Sequence, residues 1–215
     1  MGHFLAVTAF QTDSPDQVAD ACLKYIRSHD VQAELLDPSA PYIERTDAQV
    51  FQPDNGWCRI LWPPYFNLHD FTLVRDVCSV TGWAASTIHV YDSDYWDHLF
   101  RIGREDLHLY CSCPHYWQGE SDEEVQRKLS YDSNPDKMCK ALNLDVSSIT
   151  PYLVDTDKID NSVKAFDDDQ FELSDYWVLA DFWKRMGINY PDPGEAKVAA
   201  LLRLSDDFGN LPASE

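Results

Sequence analysis

The apolar positions of the first thirty residues change from a strand pattern to a helix pattern. Residues 3–10 form an apolar, β-prone run that ends at a polar cluster, which predicts a strand. Ser14, Pro15 and Gln17 then supply an N-cap, a proline at the first helical position and a capping-box residue. Because apolar residues recur at helical spacing after them, we predict a helix over residues 15–29.

Prolines separate the next predicted elements. The segment 31–55 has weak periodicity and three prolines, so it is predicted to be irregular with a short strand near residues 49–52. Residues 56–62 restore a strand pattern that stops at two further prolines. Apolar residues at helical spacing, followed by a glycine, predict a second amphipathic helix over residues 70–81.

The stretch that follows predicts a strand, an acidic corner and a β-hairpin. Residues 86–91 alternate as a strand and lead into the corner. Beyond it, residues 96–102 and 107–113 alternate with period two around a turn at Gly103, which is typical of a hairpin. The predicted order to this point is β-α-β-α-β-β-β.

The pattern after residue 113 is mostly helical. Aromatic and aliphatic residues surround the axis of a helix predicted over residues 174–187, so this helix is expected to be buried between layers. The other predicted elements are a polar helix over residues 121–130, a short helix over residues 136–142, an extended segment over residues 151–154 and a last helix over residues 195–204.

Together these elements predict an α/β or α+β protein. Residues 1–113 are expected to form a mixed β-sheet with two packing helices. Residues 114–215 are expected to form a helical extension packed on that sheet, within one compact domain. The aromatic helix is the predicted cover of one sheet face.

The composition changes this picture mainly through charge. The 215 residues are 44% apolar and 13% aromatic, which allows a large core. Residues 1–110 contain 7 basic and 16 acidic residues and residues 111–215 contain 10 and 21, so the halves carry −9 and −11 of the net −20. A surface of that sign repels phosphate backbones and anionic lipid. We therefore expect no nucleic acid or membrane partner. The acidity serves either solubility alone, which the charge by itself favours, or the binding of a protein partner with a basic surface.

The cysteines and the N-terminus indicate a cytoplasmic protein. Residues 3–10 are too short to span a bilayer and lack the features of a signal peptide. Six cysteines are scattered through apolar segments, and we interpret them as reduced, buried thiols. They are Cys22, Cys58, Cys78, Cys111, Cys113 and Cys139.

Three segments resemble a group of uncharacterised bacterial proteins of similar length. They are residues 90–96 (VYDSDYW), residues 152–154 (YLV) and residues 176–191 (YWVLADFWKRMGINYP). This resemblance implies no activity, because none is assigned to the group. In size and acidic composition alone, the chain is also similar to the immunity proteins that neutralise polymorphic bacterial toxins.

The corner after residue 91 holds the densest set of groups that could do chemistry. Asp92, Asp94 and Asp97 lie near His89, and Asp-x-Asp after an apolar strand is similar to the metal corner of many glycosyltransferases. In this interpretation Asp92 and Asp94 bind a divalent cation and all four residues are catalytic candidates. The alternative, which we favour, is a solvated turn stabilised by aspartate side chains.

Two further groups have both a chemical and a structural interpretation. Cys111, Cys113 and His115 could form a soft metal site, but the two thiols continue the apolar face of a strand and are predicted to be core. His98 shares a face with Trp96 and is likewise predicted to be a hydrogen-bonded core residue.

Acidic residues of the C-terminal half provide a second candidate site. Asp181 is expected either to lie on the surface, paired with Lys184 or Arg185, or to be partly buried with a shifted pKa. An acidic run before the aromatic helix is either a solvated loop or a docking surface for a basic partner. Its members are Asp167, Asp168, Asp169, Glu172 and Asp175.

The sequence lacks the common catalytic signatures. It contains no glycine-rich phosphate loop, no Gly-x-Ser-x-Gly and no His-Glu-x-x-His, so we predict no cofactor and favour a non-enzyme. The leading hypothesis is an interaction protein, of immunity or inhibitor type, that neutralises a basic partner. The alternatives are a metal-dependent transferase or hydrolase at the aspartate corner, and a structural component of a larger assembly.

Overall fold

Eight strands form one antiparallel β-sheet in the computed structural model, which describes residues 2–116, 131, 134–160, 162–192 and 194–213. The strands follow the order β2-β8-β3-β4-β1-β5-β6-β7 across the sheet, and every neighbouring pair is antiparallel. Their bounds are β1 Leu5–Gln11, β2 Ala33–Leu36, β3 Asp47–Phe51, β4 Trp57–Leu61, β5 Ala84–Tyr91, β6 Tyr95–Ile102, β7 Glu105–Cys111 and β8 Val198–Leu204.

Four α-helices lie in the described part of the chain. Short 3₁₀ turns also occur, among them Phe66–Leu68 and Thr150–Tyr152. No described helix combines the length and the apolar character needed to cross a bilayer. The α-helices are α1 Pro15–Ser28, α2 Asp70–Thr81, α3 Asp136–Leu142 and α4 Val178–Arg185.

Alternation along the strands divides the core into two layers. In β1, Ala6 and Phe10 belong to the layer that includes α1 and α2, whereas Val7 and Ala9 belong to the layer that includes α4. The central strands β5 and β6 are buried on both faces. Polar side chains on these two strands therefore need partners inside the protein.

The sequence predicted the coarse class and most of the regular elements. The protein is α+β, and α1, α2, α3 and the hairpin of β6 and β7 lie where the pattern placed them. The aromatic helix α4 is buried as predicted, although it is shorter than expected and begins at Val178. The polar helix predicted over residues 121–130 lies outside the described residues.

Several predictions about the sheet were wrong. The sheet is antiparallel and not mixed, and the order up to residue 113 is β-α-β-β-β-α-β-β-β. Strand β2 was not predicted, and β3 corresponds to the short strand expected near residues 49–52, which the predicted order omitted. Residues 195–204 contain β8 and not a helix, so the C-terminal region is not wholly helical. Pairing with β2 on one side and β3 on the other overrides the helix propensity of its alanines and leucines. The segment 151–154, predicted to be extended, begins within a 3₁₀ turn.

Candidate functional site

The aspartate corner is a tight turn between β5 and β6. Tyr91 pairs with Tyr95, and the amide of Asp94 donates to the carbonyl of Tyr91 at 2.9 Å. Asp92 and Ser93 both have positive φ, 51° and 64°. Aspartate tolerates this left-handed conformation better than most residues, which explains its place in the turn.

Neighbouring segments occupy the polar groups of this turn. The backbone of His3 donates to Oγ of Ser93 at 2.7 Å, and the amide of Ser93 donates back to the carbonyl of His3 at 3.0 Å. Gly2 lies so close to Asp92 that a Cβ atom there would overlap with it. The hydroxyl of Tyr116 donates to Oδ2 of Asp94 at 2.7 Å, and this bond raises the pKa of Tyr116. Hydrogen bonds thus connect the corner to the N-terminal segment and to Tyr116.

His89 and Asp97 do not face the corner but belong to a buried network with Asp70. Nδ1 of His89 lies 3.1 Å from Oδ1 of Asp70, and Nε2 lies 2.9 Å from Oδ2 of Asp97. Both carboxylates have zero exposure and the histidine is 6% exposed. When both carboxylates are ionised, each ring nitrogen must carry a proton, so the ring is a cation between two anions. A ring in this state has no lone pair for a metal.

Polar side chains of three strands extend this network. The indole Nε1 of Trp62 donates to Oγ1 of Thr8 at 3.0 Å, and Thr8 lies 2.9 Å from Oγ1 of Thr87. Thr87 donates to Oδ2 of Asp70 at 3.1 Å. The chain of donors therefore ends at the carboxylate of Asp70. In the sequence Asp70 is only the first residue of the helix predicted over residues 70–81, whereas Thr87 and His89 lie on one face of the strand predicted over residues 86–91.

A second polar network lies on the opposite face of the sheet. Ser86 Oγ is 2.9 Å from Nε2 of His98, and Nδ1 of His98 is 2.9 Å from Nδ1 of His108. Trp183 donates its indole N–H to Ser86 at 2.9 Å. Burial lowers the pKa of His98 well below its usual value, and His108 adds to this effect. His98 is fully buried, so its prediction as a core histidine is confirmed.

The cysteine cluster is also part of the core. Cys111 and Cys113 are each 5% exposed, and Sγ of Cys113 donates to Oδ2 of Asp157 at 3.2 Å. Burial raises the pKa of Cys113 to about 12. Within the described ranges, no group of three or more His, Cys, Asp or Glu side chains is arranged to hold a metal, at these cysteines or at the aspartate corner.

The acidic run before α4 is not a free anionic surface. Asp169 is 5% exposed and accepts from the hydroxyl of Tyr152 and from the guanidinium of Arg185, at 2.7 and 2.6 Å. Asp168 contacts the same guanidinium at 2.6 Å. Asp169 therefore cannot belong to an exposed docking patch, which corrects that part of the sequence hypothesis.

The other members of the run divide between turn formation and exposure. Asp175 accepts from the amide of Trp177 at 2.9 Å. Asp167 and Glu172 are exposed. With Asp168, which is exposed although it pairs with Arg185, the run keeps three exposed carboxylates.

Asp181 is a buried cap and not a surface residue. It is 5% exposed, and its Oδ2 accepts from the backbone amides of Gln170 and Phe171 at 2.9 and 2.8 Å. The first of the two expectations, a surface position paired with Lys184 or Arg185, is therefore wrong. The carboxylate fixes the loop before α4 against the helix.

An aromatic surface that the sequence did not predict surrounds Tyr65. We call it the Tyr65 surface, and it joins two cavities of about 650 and 410 Å³. Tyr65 lines both cavities and is 52% exposed. Glu44 also lines both cavities. Arg45 and Asp206 line the larger one and pair with each other at 3.3 Å. The apolar members of the surface are Phe4, Tyr42, Tyr65, Leu68, Tyr176 and Trp177.

Tyr65 has an unfavourable backbone conformation that turns its side chain outward. Its φ is 69°, which is uncommon for a bulky residue without a structural reason. The following residue, Phe66, is fully buried and stacks on Trp62 with ring centroids 4.2 Å apart. Phe4 packs against the Tyr65 ring at 4.6 Å. The turn thus buries Phe66 and presents Tyr65 to solvent.

Known proteins provide no further guide to this surface. No family model, curated protein or solved structure matches the chain. The resemblances drawn from the sequence motifs and from the acidic composition therefore stay predictions. The geometry of the Tyr65 surface is the strongest indication of a function.

Proposed function

We propose that the chain is a cytoplasmic binding protein, of immunity or inhibitor type, that recognises a basic protein partner through the Tyr65 surface. The observation that carries this proposal is the exposed Tyr65 ring, held between two cavities by a strained backbone. Backbone strain of this kind clusters at binding sites, and exposed tyrosine and tryptophan are typical anchors of protein interfaces. An anchor held in place before binding loses little conformational entropy when the partner arrives.

The charge of the protein supports a basic partner. The net charge is −20, and Glu44 stands between the two cavities. A field of that sign accelerates encounter with a positively charged surface and repels acidic proteins. The six free, buried cysteines suit a reducing compartment, which supports action in the cytoplasm.

The geometry gives less support to a metal-dependent transferase or hydrolase at the corner. Asp97 is directed into the core, where it contacts His89, and Asp94 accepts the hydroxyl of Tyr116. Among the described residues, these carboxylates belong to no group of three or more acidic, histidine or cysteine side chains arranged to hold a metal.

Affinity capture with matched variants tests the proposal. The tagged protein should retain a basic protein in stoichiometric amount, and added salt should weaken the complex. Tyr65→Ala should weaken binding by roughly 30-fold, because an anchoring tyrosine contributes about 2 kcal/mol or more. Val163→Ala, at an exposed position outside the Tyr65 surface, should bind like the parent protein. Equal binding by Tyr65→Ala and the parent would refute the proposed contact site.

A further inference from the structure

A groove of about 440 Å³ runs between α1 and α2, apart from the Tyr65 surface. Its walls are largely apolar, with Val77 and Val80 on α2 and Trp83 just beyond that helix. Val80 is 81% exposed, the highest value among the exposed large hydrophobic residues of the described chain. A valine in that position gains free energy when an apolar group covers it.

A buried hydroxyl without a partner lies in the floor of this groove. Tyr25 lines the groove and is 4% exposed, and within the described chain its hydroxyl makes no hydrogen bond. Burial raises the pKa of Tyr25 to about 12, and the charge of Asp76 on the opposite helix adds to the shift. Buried polar groups are nearly always paired in folded proteins. The unpaired hydroxyl therefore marks a place where an occupant could supply a hydrogen bond.

The carboxylates at the rim of the groove favour a positively charged ligand. Asp20 on α1 and Asp76 on α2 are both exposed and line the groove, together with one amine, Lys24. Carboxylates on both helices can attract a positive group placed between them. The apolar walls require that this group be carried on an aliphatic stem. A long cationic side chain has this combination of stem and head.

We propose that the groove is a binding site for an arginine side chain of a partner polypeptide. The aliphatic stem lies against Val77 and Val80, and the guanidinium donates to Asp76 and to the hydroxyl of Tyr25. Arginine fits better than lysine, because its planar head has five donors, stacks on aromatic rings and is weakly hydrated. Small rotations of rim side chains, which are common at interfaces, give the head access to the covered hydroxyl.

An NMR titration of the full chain with short blocked peptides tests this site. The probe is Ala-Ala-Arg-Ala-Ala, and the matched peptides carry lysine, citrulline or norleucine at the centre. The arginine peptide should shift the resonances of Tyr25, Val77 and Val80, and citrulline, which lacks the charge, should bind at least several-fold more weakly. Equal affinity for the citrulline and arginine peptides would overturn the proposal. Free arginine that binds as tightly as the peptide would overturn the assignment to a polypeptide.

Variants separate a binding role from a structural role. Tyr25→Phe should keep or raise the midpoint of thermal unfolding, because it removes an unpaired hydroxyl, and should weaken the arginine peptide about three- to tenfold. Asp76→Asn should weaken it about two- to fivefold, whereas Lys24→Ala should strengthen it. Unchanged affinity in both Tyr25→Phe and Asp76→Asn would refute the site.

This inference goes beyond the proposed function and can fail separately from it. Peptide-induced shifts confined to the Tyr65 surface would overturn the groove assignment and leave the proposed function intact. Peptide-induced shifts in the groove, combined with partner capture unaffected by Tyr65→Ala, would support the groove assignment and refute the Tyr65 surface as the partner-binding site.

Discussion

Removal of the histidine from the buried Asp70–His89–Asp97 network should be among the most damaging single changes to this fold. In His89→Leu two carboxylates with zero exposure lose the imidazole that bridges them, with contacts of 3.1 and 2.9 Å. Removing one partner from a buried ionic group costs about 3–5 kcal/mol, because the remaining charge is left without compensation. The carboxylates must then take up protons or admit water, and both alternatives weaken the packing of α2 on the sheet.

The expected loss is large relative to the total stability of a domain, which is about 5–15 kcal/mol. For a chain of this size, a loss of about 3–5 kcal/mol lowers the unfolding temperature by roughly 6–20 °C. Urea unfolding followed by tryptophan fluorescence measures the change in free energy directly. His3→Leu makes the same substitution at an exposed histidine and should change the free energy by less than about 0.5 kcal/mol.

A double-mutant cycle isolates the ionic contribution. Asp97→Asn in the His89→Leu background removes one of the two buried charges and should recover part of the lost stability. In the parent background the same substitution should destabilise, because it weakens the bond to the histidine. A loss below about 1 kcal/mol in His89→Leu, or no recovery in the double variant, would refute the description of His89 as the bridge between two buried carboxylates.

Three further predictions follow from other buried groups. The pKa of His98 lies well below its usual value in the folded protein, so its stabilising contribution is present above about pH 6.5. As the pH falls below that value, the free energy of unfolding should fall by up to about 1.4 kcal/mol per pH unit. Urea unfolding between pH 7.5 and 5 should show this slope, and His98→Phe should flatten it. Asp181→Ala should lower the free energy of unfolding by about 2–4 kcal/mol and speed hydrogen exchange at the amides of Gln170 and Phe171, because these two N–H groups lose their acceptor. Unchanged exchange would contradict the capping role. The six buried thiols should react with a thiol reagent only as fast as the protein unfolds, and rapid reaction of any of them in the native state would contradict their burial.

The elements predicted best are those with strong periodicity and clear boundaries. Helix α1 combines an apolar stripe with proline in its first turn, and α2 ends at Gly82 in the left-handed conformation. The hairpin of β6 and β7 turns at Gly103, which has a φ of 53°. In each case the local sequence and the final fold favour the same structure.

Strand β8 was mispredicted because its sequence alone is ambiguous. The run Val198–Leu204 is almost continuously apolar, and a short apolar run of alanine and leucine fits a buried strand as well as a helix. The decision depends on β2 and β3, which lie more than 140 residues earlier in the chain. Local propensity contains no information about such a distant pairing.

The Tyr65 surface was missed for a different reason. The positive φ of Tyr65 accompanies the turn after two prolines and the stacking of Phe66 on Trp62. The residue type at this position does not predict it. The surface also combines side chains from the N-terminus, from the loop after β4 and from the segment before α4. Such a site becomes visible only when the sheet has brought these segments together.

The acidic residues show how far composition can mislead a functional argument. The sequence suggested Asp97 as a catalytic candidate, Asp169 as part of a docking patch and Asp181 as either a surface residue or a partly buried acid, yet each is at most 5% exposed. Each accepts hydrogen bonds that hold one segment of the chain against another. Net charge therefore measures the long-range field of this protein but does not locate its binding site. The site has to be sought where exposed apolar side chains lie beside exposed carboxylates, which is the situation around Tyr65 and in the groove between α1 and α2.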